Sequence, residues 1–137
     1  MKKIKSILIA NRGEPVRRAA RTCRKLGIQV YTIATQDDLK TDWVADGDYC
    51  LKVSSYLSGE EIIEKAVKAK VDGIWPGWGF LSENEDFARA VEESGIVWIG
   101  PSSKAISCMA SKDEATLMAK KSGLTTIPET VFNVAEK

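Results

Sequence analysis

The sequence predicts an α/β fold in which a mostly parallel β-sheet is covered by helices on both faces, and three observations carry that expectation. Short apolar runs rich in β-branched residues alternate with longer segments whose apolar residues fall at helical spacing. Three Ser-x-x-Glu tetrads, beginning at Ser58, Ser82 and Ser111, match the capping box that marks a helix start. The loops between runs are short, as the connections of such folds are.

The elements follow in chain order. Residues 4–10 read as a strand, and Asn11-Arg12-Gly13-Glu14-Pro15 turns it into a helix, with glycine for the turn and proline where the first helical turn tolerates it. Val16, Ala19, Ala20, Cys23 and Leu26 form the inward face of that helix; Arg17, Arg18, Arg21, Arg24 and Lys25 take the other faces, and Gly27 ends it. Residues 29–34 form a strand, 35–42 a polar loop and 49–53 a third strand. The Ser58 tetrad opens a helix to about residue 69 with Ile62, Ile63, Ala66 and Val67 inward, and residues 72–75 are a short strand. The Ser82 tetrad opens a helix carrying Phe87, Ala88 and Val91, which stops at Ser94-Gly95 before a strand at 96–100. A short helix runs from Pro101-Ser102-Ser103 through Met109, the Ser111 tetrad starts another that ends near Gly123, and residues 125–128 are extended.

This order, β-α-β-β-α-β-α-β and then helices, is that of a Rossmann-like sheet, where ligands gather at the carboxyl ends of the strands. Those ends are residues 11–14, 35–38, 75–83 and 100–103.

Composition bounds the function. Twenty Lys and Arg against 19 Asp and Glu leave a net charge of +1, and 44% of residues are hydrophobic: a globular balance that asks for neither nucleic acid nor a membrane as partner. No apolar run approaches the roughly 18 to 20 residues that span a bilayer. Cys23, Cys50 and Cys108 are odd in number and far apart, which points to neither disulfides nor a zinc site and favours a reducing, cytoplasmic setting. Histidine is absent, which removes the commonest general base and any Ser-His or Cys-His nucleophile.

Four features remain as candidates. Asn11-Arg12-Gly13-Glu14 is a strand-to-helix turn without the G-x-G-x-x-G fingerprint of dinucleotide binding, open to reading as a ligand loop or as a turn in which Arg12 ties loops together. The basic face of the first helix is either solvated or a docking surface. Residues 75–84, WPGWGFLSEN, place Gly77 and Gly79 at a strand end, with Ser82 and Glu83 beginning a helix whose N-terminus favours an anion. Lys112 follows the capping Ser111, where a cation opposes the helix dipole.

Taken together, IANRGE, LGIQV, DGIWPGWGFLSEN, IGPS and the helix with Lys112 resemble the N-terminal, pre-ATP-grasp domain of biotin carboxylase, the ATP-dependent component of acetyl-CoA, propionyl-CoA and pyruvate carboxylases. The resemblance covers essentially the whole chain. It implies a domain over residues 1–123 and, over 124–137, the start of a connection to an ATP-grasp lid. It implies an enzyme that uses ATP, Mg2+ and bicarbonate to carboxylate biotin, with this part alone inactive, holding no catalytic or metal-ligating residue and binding none of those cofactors tightly. By the same resemblance, Met109-Ala110-Ser111-Lys112 matches a Met-Gly-Asp-Lys motif whose lysine contacts ATP, and Trp78 replaces a tyrosine that approaches biotin, flanked by Gly77 and Gly79. Trp75 stands where the family has histidine. Asn11, Arg12, Gly13, Glu14 and Glu83 are loop-forming residues. The implied partners are the remaining biotin carboxylase domains, the biotin carboxyl carrier protein, the carboxyltransferase and a second copy in a homodimer. Two other readings stand beside it: a non-catalytic module that docks onto a carboxylase subunit, and the first domain of a different ATP-grasp ligase.

Overall fold

The computed structural model describes residues 3–127. Its centre is β1 (Ser6–Ile9), flanked by β2 (Gln29–Ala34) and β4 (Gly73–Trp75), with β3 (Tyr49–Lys52) and β5 (Val97–Trp98) at the edges. The order is β3-β2-β1-β4-β5 and every pairing is parallel. β1 sits between two strands, which is why Leu8, Ile9 and Ala10 form one of the driest stretches of the chain.

The chain steps one way across the sheet from β1 to β3 and the other way from β4 to β5. Right-handed crossovers then place α1 (Glu14–Lys25) and a 3-10 turn (Asp42–Asp46) on one face, and α2 (Gly59–Lys68) and α3 (Glu85–Glu93) on the other. α1 buries Val16, Ala20 and Cys23; α2 buries Ile62 and Ala66; α3 buries Phe87, Ala88 and Val91. α4 (Ser103–Ala110) packs on α3, and α5 (Lys112–Lys121) packs on α4. The expected α/β sheet with helices on both faces is therefore present. Residues 124–127 carry no regular element, and 128–137, the larger part of the expected connection, lie outside the described residues.

Several local expectations are corrected. Ser82 does not cap α3: Asn84 does, its side chain accepting from the Phe87 N–H at 2.7 Å, so Ser82 and Glu83 lie in the loop before the helix. Ser58 stands at the N-cap of α2 without a side-chain cap bond; Glu61 instead accepts from the Ser54 N–H at 2.9 Å and from its hydroxyl, and this pulls its carboxyl below the usual range. The Ser111 cap forms, accepting from the Glu114 N–H at 3.4 Å. Leu26 and Val67 face solvent. Leu26 falls at the C-cap, where the chain leaves the helix through Gly27 at φ 66°, and Val67 is five residues from Ile62, turned well away from the buried stripe. The 3-10 turn has no counterpart among the sequence expectations; its anchor is Trp43, buried where the turn packs on α1.

Candidate functional site

Strand order reverses between β1 and β4, and the crevice outside their carboxyl ends is where such sheets hold ligands. Two loops meet there, 10–13 and 76–84. Asn11 joins them. Its side chain is 1% exposed, and Nδ2 donates to the carbonyl of Pro76 at 2.7 Å and of Trp78 at 2.9 Å, while Oδ1 accepts from the Arg12 N–H at 2.8 Å. A buried amide with both ends engaged can be replaced by neither an apolar nor an acidic side chain without leaving those carbonyls unpaired. The fit leaves no room for a larger residue opposite. At Gly77, φ is 69° and an added Cβ would lie 3.0 Å from Asn11 Nδ2 and 3.3 Å from the Trp75 ring.

Next to Asn11, Arg12 donates to Asp38 Oδ1 at 3.0 Å, and the buried Tyr56 hydroxyl donates to Asp38 Oδ2 at 2.7 Å. The Arg12 guanidinium also lies 5.6 Å from the centre of the Tyr56 ring, and that ring touches Phe80 at 5.4 Å between centroids. Burial, and then the bond to Asp38, push the Tyr56 phenol up to about 12, so it stays a donor at every ordinary pH. Arg12 thus ties the ends of β1 and β2 together, and Tyr56 carries the tie to the loop after β4. Asp38 and Tyr56 carried no motif; the one signal for Asp38 was its place at a strand's carboxyl end.

Trp78 is held by its backbone and offered by its side chain. The residue is 52% exposed, and its ring meets Trp75 edge-on, centroids 6.4 Å apart at 88°. Trp75 is half-buried against the core, at the last position of β4. Gly79, at φ 71°, has open space where a Cβ would stand, and Phe80 follows at φ 47°. Gly13 caps α1 at φ 69° and Glu14, the first helical residue, is exposed beside the positive end of the helix dipole.

Lys112 is the first residue of α5, exposed and making no hydrogen bond or ion pair among the described residues. A groove of about 510 Å³ runs beside that end of α4, lined by Ser82, Glu83, Pro101, Ile106, Met109 and Ala110. Its volume is that of a small-molecule site. Glu83 therefore faces this groove rather than starting a helix. Among the described residues no group of three or more His, Cys, Asp or Glu side chains converges as a metal ion needs, and no helix is long and apolar enough to cross a membrane. On the basic face of α1, Arg17 lies 3.6 Å from Asp46 and Arg24 donates to the Asp46 carbonyl at 3.1 Å, so part of that face serves the 3-10 turn.

Comparison with known proteins shows the family. The profile of the biotin carboxylase N-terminal domain matches residues 3–106. The chain is 44% identical over 132 residues to biotin carboxylase 1 of Bacillus subtilis, covering 91% of this chain and 29% of that one. It is 41% identical over 128 residues to the mitochondrial propionyl-CoA carboxylase alpha chain of Homo sapiens, covering 89% and 18%. Among solved structures, it superposes with TM-score 0.89 and 37% identity on the biotin carboxylase domain dimer of the Hydrogenobacter thermophilus 2-oxoglutarate carboxylase in complex with MgADP, ADP and bicarbonate, covering 93% of this chain and 29% of that one. The chain spans under a third of the length of these relatives.

Proposed function

The chain belongs to the biotin carboxylase N-terminal domain family, and from that premise we propose that it forms one wall of a site for the ATP- and bicarbonate-dependent carboxylation of biotin within an acyl-CoA or pyruvate carboxylase. The observation that carries this reading is the Asn11 clamp, which holds the loop of residues 76–84 at the strand reversal with Trp78 facing out. An exposed indole braced by a second indole is a flat, rigid surface for a bicyclic ligand such as biotin, and Gly77 and Gly79 let the backbone come close. From the α4–α5 hairpin, Lys112 supplies a cation for a nucleotide phosphate, and the groove along α4, lined by Glu83 and Met109, has room for a ligand.

The donor set is one-sided. Biotin fits the tryptophan wall and ATP fits the lysine and groove in part, whereas no three His, Cys, Asp or Glu side chains converge among the described residues, so the carboxylates that would hold magnesium come from the other domains. The chain's own work is to bind and orient. The proton transfers and phosphate clamps of such a reaction belong to the other biotin carboxylase domains, with carrier protein and carboxyltransferase as further partners and a second copy as a dimer partner. Three free thiols suit the cytoplasm, where we place it.

Two arms test the proposal. In the complete carboxylase, Trp78→Ala raises the KM for biotin about tenfold and leaves that for ATP alone, and Lys112→Met does the reverse; about 1.4 kcal/mol is the worth of one aromatic contact or one charge-assisted bond. Equal effects of both variants on both substrates would overturn it. The 137-residue chain alone releases no ADP in response to biotin and bicarbonate, and binds ATP at about millimolar or weaker by calorimetry; turnover or a micromolar Kd would show that the chain holds far more of the site.

A further inference from the structure

Within the loop of residues 76–84, the stretch up to Leu81 is pinned at its first half by Asn11, through the carbonyls of Pro76 and Trp78. Its second half is pinned differently. Phe80 is one of two described residues other than glycine with positive φ, at 47°, directly after Gly79 at 71°. A bulky side chain in the left-handed region costs about 1 kcal/mol or more and persists where its surroundings impose it. The ring that Phe80 meets is that of Tyr56, and Tyr56 is itself locked by Asp38, which Arg12 also engages.

We infer that Asp38 and Tyr56 are positioning residues for Trp78: by seating the Phe80 ring they hold the second half of the loop, so that Trp78, between two anchors, presents its indole in one orientation. The inference deepens the reading of Trp78 as a binding wall and rests on it for its use, though not for its geometry. The geometry is specific. Asp38 uses both carboxylate oxygens, one toward Arg12 and one toward Tyr56, so Arg12 and Tyr56 are held at a fixed mutual angle with the guanidinium over the phenol ring. Because Arg12 follows Asn11 directly in the chain, the two anchors of the loop share one support. Between them the free degrees of motion are the χ angles of Trp78, and Trp75 limits those from one side.

The test uses the full 137-residue chain and reads Trp78 directly. Acrylamide quenching is measured for each variant with and without Trp78→Phe, so that the difference isolates Trp78 from Trp43, Trp75 and Trp98. Since Trp78 is 52% exposed, complete release of its ring raises its quenching constant by at most about twofold. Tyr56→Leu is expected to give most of that rise, whereas Tyr56→Phe, which keeps the ring against Phe80, stays close to wild type. Phe80→Gly disconnects the loop from the network at an exposed position whose backbone suits glycine, and it gives the same rise in a chain that keeps its fold. A folded Phe80→Gly chain with wild-type Trp78 quenching overturns the inference even if Tyr56→Leu fails to fold. Failure of the binding reading looks different: Trp78→Ala in the complete enzyme would leave the KM for biotin unchanged while the quenching differences stood.

Discussion

The rim at the ends of β1 and β4 and the α4–α5 hairpin each offer a candidate ligand residue, and they hold it in opposite ways. Trp78 is presented by a loop whose backbone carbonyls are bonded to a buried amide and whose next aromatic is seated on a buried phenol. Lys112 is presented by a helix that buries none of its residues and touches the rest of the fold through α4. The profile match, too, covers the rim and stops at residue 106, within α4. The lesson is that one half of the candidate site is held rigidly by the fold while the other is attached to it through a single helix, so substitutions in the first should cost stability and those in the second little.

Three experiments break or sharpen this contrast, the largest effect first. Asn11→Ala leaves the carbonyls of Pro76 and Trp78 without their donor and lowers the unfolding free energy by about 3 kcal/mol in a urea titration. Gly77→Ala, strained at φ 69° and crowding Asn11, costs about 2 kcal/mol, and Gly79→Ala, with open space around it, about 1. If Asn11→Ala proved as mild as Gly79→Ala, the rim would not be preorganised.

The second is pH. The folded chain raises the Tyr56 phenol from the ordinary 10 to about 12, so the unfolded chain gives up that proton first. The stability this contributes is whole below pH 10 and drains away as pH climbs from 10 to 12. Chemical denaturation across that window should fall more steeply for wild type than for Tyr56→Phe; parallel curves would mean that the phenol is not held as the rim requires.

The smallest effects belong to α5. Ser111→Ala removes the cap and costs about 1 kcal/mol at most, seen as lost helicity confined to that helix. Lys112→Met changes global stability by no more than about 0.5 kcal/mol, as an exposed side chain without an ion pair among the described residues should. A loss near that of Asn11→Ala at either position would erase the contrast.

Much of the fold was legible because its signals are local. The apolar spacing of Val16, Ala20 and Cys23, the β-branched runs and the Ser111 cap depend on neighbours within one or two turns. The misread caps show where that stops: Ser58 and Ser82 fit the tetrad as well as Ser111 does, but competing partners decide. Glu61 finds Ser54, and Asn84 lies two residues closer to α3 than Ser82. In the site, Arg12 and Asn11 drew notice through Gly13 beside them, and Trp78 through its glycines. Asp38 drew notice only as part of a strand end and Tyr56 drew none, because they lie 26 and 44 positions beyond Arg12 and no spacing rule links residues that meet only across three strand ends.

By itself, the sequence determined the class of fold, the strand-end positions of the candidate residues and the family resemblance, all of which follow from short-range periodicity and contiguous motifs. Only the tertiary structure decided that Asn11 is the joint between two loops, that Trp78 is offered while Trp75 braces it, and that a buried acid and phenol stand behind Phe80. Those are matters of which polar groups the closing sheet leaves without water, and a buried donor or acceptor takes the partner that packing brings within reach, wherever that partner lies in the chain.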